Sequence, residues 1–290
     1  MRSAVDERDD EALWDVARPA RPSRVTGVSM AGFRDRGRTA VAHRAIPHPA
    51  VTLALEFGDG PLIVDDAAGR QHRGSLVAGP GFGSGAVWVR GQNFQAVQVR
   101  LSPLVARAVM GVCPAELDGA VVPLDDVWGR PASLLRERLN DAPSWDERFA
   151  LIDASLARRW AAGAPVDPEV ARAWDRIIVC RGQVRVEALA AEIGWSRKRL
   201  WSRFRSQLGL TPKRAATLVR FDRAAHRLVA GERAARVAAD GGYADQSHLH
   251  RDVMAFAGAT PATVAGEPWL AIDDVAWPER PAGSSSRRDQ

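Results

Sequence analysis

The feature that most constrains this chain is a local pattern that occurs twice, between residues 188–214 and again between residues 238–261. Each copy has a turn with a glycine and an aromatic residue, a capping residue, an apolar stripe at helical spacing and a closing Gly-x-Thr-Pro. The caps, Ser196 and Asp245, lie 49 residues apart. The stripes are Leu200, Phe204 and Leu208 in the first copy and Leu249, Val253 and Ala257 in the second. The pattern predicts a duplicated helix–turn–helix unit, against the alternative of two unrelated helical hairpins.

The segment between the copies, Pro212 to Gly231, predicts one continuous helix. Its apolar residues recur at helical spacing, and Gly231 follows its last turn. At about 1.5 Å per residue the helix would be close to 30 Å long. Recognition helices held about 34 Å apart can enter successive major grooves on one face of B-DNA. A single chain would then carry both DNA-reading helices.

The segment from about residue 184 to residue 264 resembles the DNA-binding domain of the AraC/XylS transcription regulators. The resemblance rests on GWSRKRLWSRFRSQLGLTP, on the linking PKRAATLVRFDRAAHRL and on VAADGGYADQSHLHRDVMAFAGATP. It implies a sequence-specific DNA-binding transcription regulator whose partner is double-stranded DNA. Ser202, Val253, Met254 and Ala255 depart from residues that are common in the family at these positions.

The same resemblance, together with the free face of each recognition helix, gives the candidate DNA-binding residues. On the first helix, Lys198, Trp201 and Ser202 are candidates for base contacts, whereas Arg197, Arg203 and Arg205 are candidates for phosphate contacts. On the second helix, Gln246, Ser247 and His250 occupy the corresponding face, with Arg251 towards phosphate. For His248 the sequence leaves two roles open: a contact with DNA, or a packing or hydrogen-bonding role inside the turn.

The distribution of charge agrees with this assignment better than the total does. The chain has a formal net charge of +5, and Lys occurs only at 198 and 213, so the abundance of Arg is typical of GC-rich codon usage. Residues 185–266, however, carry 14 basic and 7 acidic side chains, against 26 and 28 in the remainder. The positive excess therefore lies where phosphate would be neutralised, although a solvated basic helix surface is the simpler alternative.

From about residue 25 to residue 102 the sequence changes to short β-prone runs separated by Gly, Pro and Asp, of which VTLALEF at 51–57 is typical. The runs predict a small β-barrel or sandwich, similar to the cupin-like domains that often precede AraC-type heads. Helices follow, with Ser102 and Ser144 as predicted caps. These helices could form a dimer face or a relay, or simply pack on the β-domain.

The expected fold class is therefore α+β in two domains: a cupin-like β-barrel or sandwich with a helical extension, and an all-α domain with two helix–turn–helix units joined by a linker helix. The expected boundaries are a disordered tail over 1–20, a β-rich sensor domain over 21–110, connector or dimerisation helices over 111–165, the DNA-binding domain over 166–268 and a tail over 269–290, disordered at 284–290.

The sequence gives little support to a nucleotide-binding, metal-binding or catalytic site. The glycine-rich Gly79–Gly85 stretch precedes a β-run and predicts a hairpin loop rather than a nucleotide site. His43, His48 and His72 with Glu56 lack the spacing of metal ligands, and Cys113 lacks a neighbouring base or metal array. We therefore expect no catalytic residues, no metal and no cofactor.

The alternative function is an enzyme or repair domain fused to an AraC-type anchor. Candidate further partners are RNA polymerase, a small-molecule effector and a second copy of the chain, and the β-domain is either a ligand sensor or purely a dimerisation module. No apolar run reaches the length of a membrane span, and the N-terminus is unlike a signal peptide, so we expect a cytoplasmic protein without membrane contact.

Overall fold

A computed structural model of the chain describes residues 14–36, 41–81, 86–117, 119–267, 270, 273 and 275–277. Most of the strands precede the helices along the chain, and the expected α+β fold class is confirmed. The strands are β1 (Trp14–Ala17), β2 (Val28–Asp35), β3 (Val41–Ala45), β4 (Val51–Phe57), β5 (Ile63–Asp65), β6 (Gln71–Arg73), β7 (Leu76–Ala78), β8 (Val87–Gly91), β9 (Gln95–Leu101) and β10 (Val121–Pro123).

The strands form two antiparallel sheets, which pack as a sandwich. The larger sheet has the order β1-β2-β9-β4-β7-β10 and the smaller sheet the order β3-β8-β5-β6. Strand β4 shows the two faces of the larger sheet. Val51, Leu53 and Leu55 are buried on one face, and Thr52 and Ala54 point to the other. Because side chains alternate along a strand, the larger sheet has one face for the helices and one for the smaller sheet.

The helices begin directly after β9. They are α1 (Pro103–Met110), a 3₁₀ helix (Pro114–Leu117), α2 (Leu124–Trp128), α3 (Arg130–Asp141), α4 (Trp145–Ala162), α5 (Pro168–Val179), α6 (Val186–Ile193), α7 (Arg197–Leu208), α8 (Pro212–Val229), α9 (Ala234–Asp240), α10 (Gln246–Ala257) and α11 (Pro261–Val264). Ser102 and Ser144 accept hydrogen bonds from backbone N–H groups at the starts of α1 and α4, as expected. No helix within these residues has the length and apolar character needed to cross a membrane.

Helices α1 to α4 cover the outer face of the larger sheet. Leu135, Phe149 and Ile152 belong to the same apolar core as Leu53 and Val99. This is the packing that the simpler interpretation of these helices expects, and a dimer face on their exposed side stays a prediction. The region of the duplicated units has its own core, to which α5 to α11 contribute and which Ile46 of the β-domain joins.

The chain ends differ from the expected boundaries. The expectation of a disordered tail over residues 1–20 is wrong for β1, which pairs with β2 from Trp14↔Asp35 to Ala17↔Gly32. A strand of four residues that is held by backbone pairing with its neighbour leaves no recognisable pattern in the local sequence. At the other end, Leu270, Asp273 and Ala276 are buried within the stretch expected as a tail. Residues 1–13, 82–85 of the glycine-rich loop and 284–290 lie outside the described residues.

Candidate nucleic-acid interface

The first helix–turn–helix consists of α6 and α7. The Ser196 hydroxyl accepts a hydrogen bond from the backbone N–H of Arg199 at 3.2 Å and so caps α7. The helix ends at Gly209, whose φ of 79° is left-handed. The predicted stripe is fully buried: Leu200, Phe204 and Leu208 have no exposed surface. Because these anchors occupy one side of α7, the opposite side is left to solvent.

The five residues predicted to contact DNA on this helix are all exposed: Arg197, Lys198, Trp201, Ser202 and Arg205. Trp201 has 46% of its surface exposed, and the Arg205 guanidinium lies 5.4 Å from the centre of its ring. Arg197 donates to the Glu187 carboxylate at 2.9 Å, in a pair that is open to solvent. The Trp201 ring and the Arg205 guanidinium are thus both accessible on the solvent side of α7.

The second unit, α9 and α10, repeats this construction. The Asp245 carboxylate accepts a hydrogen bond from the His248 backbone N–H at 2.6 Å, and Gly258 closes α10 with a φ of 59°. The second predicted stripe is also fully buried: Leu249, Val253 and Ala257 have no exposed surface. The four candidate residues on the other side are all exposed: Gln246, Ser247, His250 and Arg251.

Two side chains near these faces also have partners within the protein. Arg203, predicted to contact phosphate, donates from Nε and Nη2 to both Asp167 oxygens at 2.8 and 3.0 Å, while 51% of its side chain stays exposed. The Nδ1 atom of His248 accepts the backbone N–H of Ala244 at 3.3 Å, and its ring meets Tyr243 edge-on at 5.2 Å. His248 therefore supports the turn, and Arg203 ties α7 to the start of α5.

Helix α8 connects the two units and packs on both. It has 18 residues, or about 27 Å at the usual helical rise. Its Phe221 ring stacks on Phe256 of α10 with centroids 4.9 Å apart. Arg220 donates to Asp252 at 2.8 Å and lies 4.7 Å from the Tyr243 ring. Burial raises the pKa of Tyr243 to about 12. The linker helix is thus fixed by both apolar and ionic contacts to the second unit.

The comparison with protein families bears directly on this region. Residues 189–266 match the model of a helix-turn-helix domain, which spans α7, α8 and α10 with all nine candidate residues. Residues 189–266 are an AraC-type DNA-binding domain. The match supports a role for the chain as a DNA-binding transcription regulator.

Several solved structures are similar to the chain. ToxT from Vibrio cholerae has 9% identity and a TM-score of 0.45, with 85% of this chain and 98% of ToxT covered. The AraC-like transcriptional activator CuxR has 17% identity and a TM-score of 0.31, with 83% and 93% covered. The C-terminal domain of AraT, a response regulator from Geobacillus stearothermophilus, has 22% identity and a TM-score of 0.34, with 35% and 87% covered. No curated protein matches the chain by sequence.

The β-domain holds the AraC-type domain through contacts that the sequence did not indicate. Arg44 of β3 donates to the Ala257 carbonyl at the end of α10 at 2.9 Å and to Glu267 at 3.0 Å. Its guanidinium lies 4.5 Å from the Trp88 ring centroid. A cation at the C-terminus of a helix complements the carbonyl dipoles there. Arg44 thus connects the smaller sheet to the second recognition helix.

A second contact is an ion cluster formed by His48, Arg100, Asp222, His226 and Asp273, called the interdomain cluster below. His48 Nδ1 lies 2.7 Å from Asp222 Oδ1 on α8, and Arg100 of β9 bonds both His48 Nε2, at 2.9 Å, and Asp273. His226 Nε2 lies 3.2 Å from Asp273 Oδ2. The cluster joins the loop after β3, strand β9, the linker helix and the C-terminal stretch. A lone histidine carries no local signal for such a role.

The charges in the interdomain cluster shift one another's pKa values. Burial alone would lower the pKa of His226, but the hydrogen bond with Asp273 and the charge of Asp222 outweigh it and raise that pKa to about 9. Burial alone would raise the pKa of Asp273, but His48, Arg100 and His226 hold it far below its usual range. The pKa of Asp222 is lowered against its burial by the hydrogen bond with His48. Within the cluster, the shifts of His226, Asp222 and Asp273 all favour the ionised forms of these three side chains near neutral pH.

Proposed function

We propose that this chain regulates transcription by reading an operator of two half-sites in successive major grooves. In this proposal α7 reads one half-site through Lys198, Trp201 and Ser202, and α10 reads the other through Gln246, Ser247 and His250. Arg197, Arg205 and Arg251 contact phosphate, which positions the helices without specifying sequence. Such a protein acts on the chromosome in the cytoplasm, and RNA polymerase is a candidate partner.

The observation that carries the proposal is the pairing of two exposed reading faces with one shared linker. Both recognition helices bury their apolar stripes, expose their polar residues and pack on α8. Most helix–turn–helix proteins place two heads on DNA by dimerising. Here the spacing between the heads is a property of one chain, and a second copy is not needed to form it.

We further propose that the β-domain modulates DNA binding as a sensor. It contacts the second recognition helix through Arg44 and the linker helix through His48. A change in the β-domain that moves either contact would alter how the two heads are held, because the same residues belong to both domains' contact surfaces. A homodimer formed through α3 and α4 remains a second route of control within this proposal.

An enzyme fused to a DNA anchor is the rival function. The cavity between the two sheets is the concave site of the β-domain where a substrate could bind. Among the residues that line it, His48 is the ionisable one, and its ring is held by Asp222 and Arg100. A general base must be within reach of the proton that it removes and free to accept it. The contacts of His48 therefore favour binding over catalysis.

The experiment is a selection of binding sequences from random duplexes with the full-length chain, followed by affinity measurements on the selected operator. We expect two short conserved elements whose centres lie one helical turn apart. An insertion of five base pairs between them turns one element to the opposite face of the duplex, and the affinity should fall towards that of a single half-site. Because α8 fixes the spacing, a ten-base-pair insertion should weaken binding as well.

The two insertions distinguish one chain with two heads from a flexible or dimeric reader. Full recovery of affinity with the ten-base-pair insertion would contradict the fixed spacing. A selected sequence with one conserved element alone would contradict the two-headed mode of binding. A duplex with both half-sites scrambled serves as the control for non-specific binding, at a stated salt concentration.

A further inference from the structure

The β-domain has a cavity of about 100 Å³ between its two sheets. Protein interiors are normally packed as densely as organic crystals, so an internal space of this size is uncommon. An apolar cavity of about 150 Å³, engineered into another protein, stays dry and takes up benzene. The size of the present cavity therefore suits a molecule with about the bulk of one six-membered ring, with small shifts of the walls.

The walls of the cavity are almost entirely apolar. Phe33, Leu62, Val89 and Phe94 line it together with smaller aliphatic residues from both sheets. Such a lining stabilises a ligand through the removal of apolar surface from water. A saccharide would need many hydrogen-bonding groups, and the side chains that face the cavity offer few of them.

Two polar atoms in this lining have no hydrogen-bond partner among the described residues: Oγ1 of Thr52 and Oε1 of Gln98. Thr52 lies opposite Arg100, and Ala54 lies opposite Gln98, on the adjacent strands β4 and β9. Thr52 and Gln98 are therefore diagonal neighbours on the cavity face of the sheet. Buried polar groups are nearly always paired in folded proteins, so an unpaired acceptor beside an unpaired hydroxyl indicates a missing partner.

The chemistry of the two atoms defines that partner. The Gln98 oxygen can only accept a hydrogen bond, whereas the Thr52 hydroxyl can donate one. A ligand hydroxyl satisfies both, because it donates one hydrogen bond and accepts others. Within the described part of the chain, Arg100, opposite Thr52, has one further unpaired donor, its Nε atom, but its charge is already balanced by Asp273, and the His48 ring is held by Asp222. A carboxylate or an ammonium group would therefore enter without a free counter-charge.

We propose that the cavity binds a small, uncharged, mainly apolar molecule with a single hydroxyl group, placed at Thr52 and Gln98. The proposal rests on the regulator function, because such a molecule would be the effector of the sensor domain. Its hydroxyl would lie next to Arg100, the neighbour of Thr52 in the sheet. Arg100 belongs to the interdomain cluster. The bound molecule is thus placed beside the side chains that join the cavity to the linker helix.

The test compares phenol, benzene and benzoate as probes of the full-length protein at neutral pH by calorimetry and thermal shift. The three share one ring, but phenol adds a hydroxyl and benzoate a charge. We expect phenol to bind most tightly, benzene more weakly and benzoate not measurably. Gln98→Leu removes the acceptor and should lower the phenol affinity roughly two- to tenfold while leaving that of benzene unchanged. Benzoate binding as tight as that of phenol overturns the proposal.

A filled cavity provides the second arm of the test. Ala54→Phe places a ring inside the cavity and should abolish the binding of both phenol and benzene. Ala161→Phe adds the same ring at an exposed position of α4 and should change neither. Phenol binding that survives Ala54→Phe in a folded protein overturns the proposal. If that variant does not fold, the comparison of phenol with benzene in Gln98→Leu decides, since equal losses for both probes contradict the hydroxyl site.

Operator affinity measured on the same samples separates this proposal from the regulator function. Operator binding without phenol binding overturns the ligand site and leaves the regulator intact. Phenol binding by a protein that selects no operator supports the site but contradicts the regulator. We expect phenol, and not benzoate, to change the operator affinity of the wild-type chain, and that change to be lost in Gln98→Leu.

Discussion

At the scale of single residues, the first recognition face consists of the side chains of α7 that remain exposed to solvent. Trp201 keeps 46% of its surface exposed, and the Arg205 guanidinium lies beside its ring. The two side chains have different expected roles: the ring would lie against a base or sugar edge, and the guanidinium would pair with phosphate. The structure leaves both free for these contacts, and the difference between them can be measured.

Trp201→Ala should weaken operator binding by about 1–3 kcal/mol and relax sequence selectivity at one half-site. Arg205→Ala should weaken binding to all sequences alike and reduce the slope of log affinity against log salt concentration by about 0.9. Anisotropy titrations over a salt series, on the operator and on single-base variants, measure both effects. Because Arg205 stacks on Trp201, the double variant should fall short of the sum of the two. If both single variants keep operator affinity and selectivity, α7 is not the reading helix.

At the scale of elements, each recognition helix is bounded by a cap at its start and a left-handed glycine at its end. This is why the duplication could be predicted from the sequence. Ser196, Asp245, Gly209 and Gly258 act on backbone groups within a few residues of themselves, so their effect is local. The burial of the stripes follows from helical spacing alone. By contrast, Arg203 pairs with Asp167, which lies 36 positions earlier, and the sequence pattern around Arg203 does not indicate this partner.

Gly194 and Gly209 are a matched pair for testing a helix cap that also approaches the 3₁₀ helix Pro114–Leu117. Both are left-handed, with φ of 76° and 79°, so Ala at Gly194 should cost about 1–2 kcal/mol of unfolding free energy from backbone strain alone. Within the part of the chain that the structure describes, a Cβ atom on Gly194 would meet nothing within 4 Å, but one on Gly209 would lie 2.6 Å from the Pro114 carbonyl oxygen. We therefore expect Gly209→Ala to lower the urea midpoint further than Gly194→Ala does. Equal midpoints would mean that the 3₁₀ helix does not press on the end of α7.

At the scale of the whole molecule, the contacts between the domains were beyond reach from the sequence. Arg44 meets residues more than 200 positions later, and His48 meets Asp222 at a separation of 174. No periodicity links such residues, because their proximity is produced by the way in which the two domains pack. An isolated histidine in a β-rich segment predicts at most a packed or exposed side chain. Its place in the interdomain cluster is visible only in three dimensions.

The interdomain cluster makes stability depend on pH in a direction that can be worked out. The pKa of His226 is raised from 6.5 to about 9, so the stability that it contributes is fully present below pH ~6.5 and is lost as the pH rises through about 9. The lowered pKa values of Asp222 and Asp273 act in the opposite range, with stability lost as the pH falls below ~3.8. Urea unfolding of the full chain from pH 6 to pH 10 should show a decline. His226→Gln should remove part of it, and His250→Gln, at an exposed site, should not.

The contact of Arg44 with α10 tests whether the β-domain supports the second reading head. Its side chain and that of Glu267 are 10% and 13% exposed, so Arg44→Met leaves a largely buried carboxylate and the Ala257 carbonyl without their donor. We expect a loss of about 3 kcal/mol in unfolding free energy. Arg36→Met, which breaks an exposed pair with Asp15, should cost less than about 1 kcal/mol.

The same Arg44→Met variant also tests whether Arg44 orients α10. If it does, the operator affinity of the variant should fall mainly through the half-site that Gln246 reads. Base substitutions in that half-site should then reduce affinity less in Arg44→Met than in the wild-type chain. A loss of stability with unchanged operator selectivity would mean that Arg44 holds the two domains together without influence on DNA recognition.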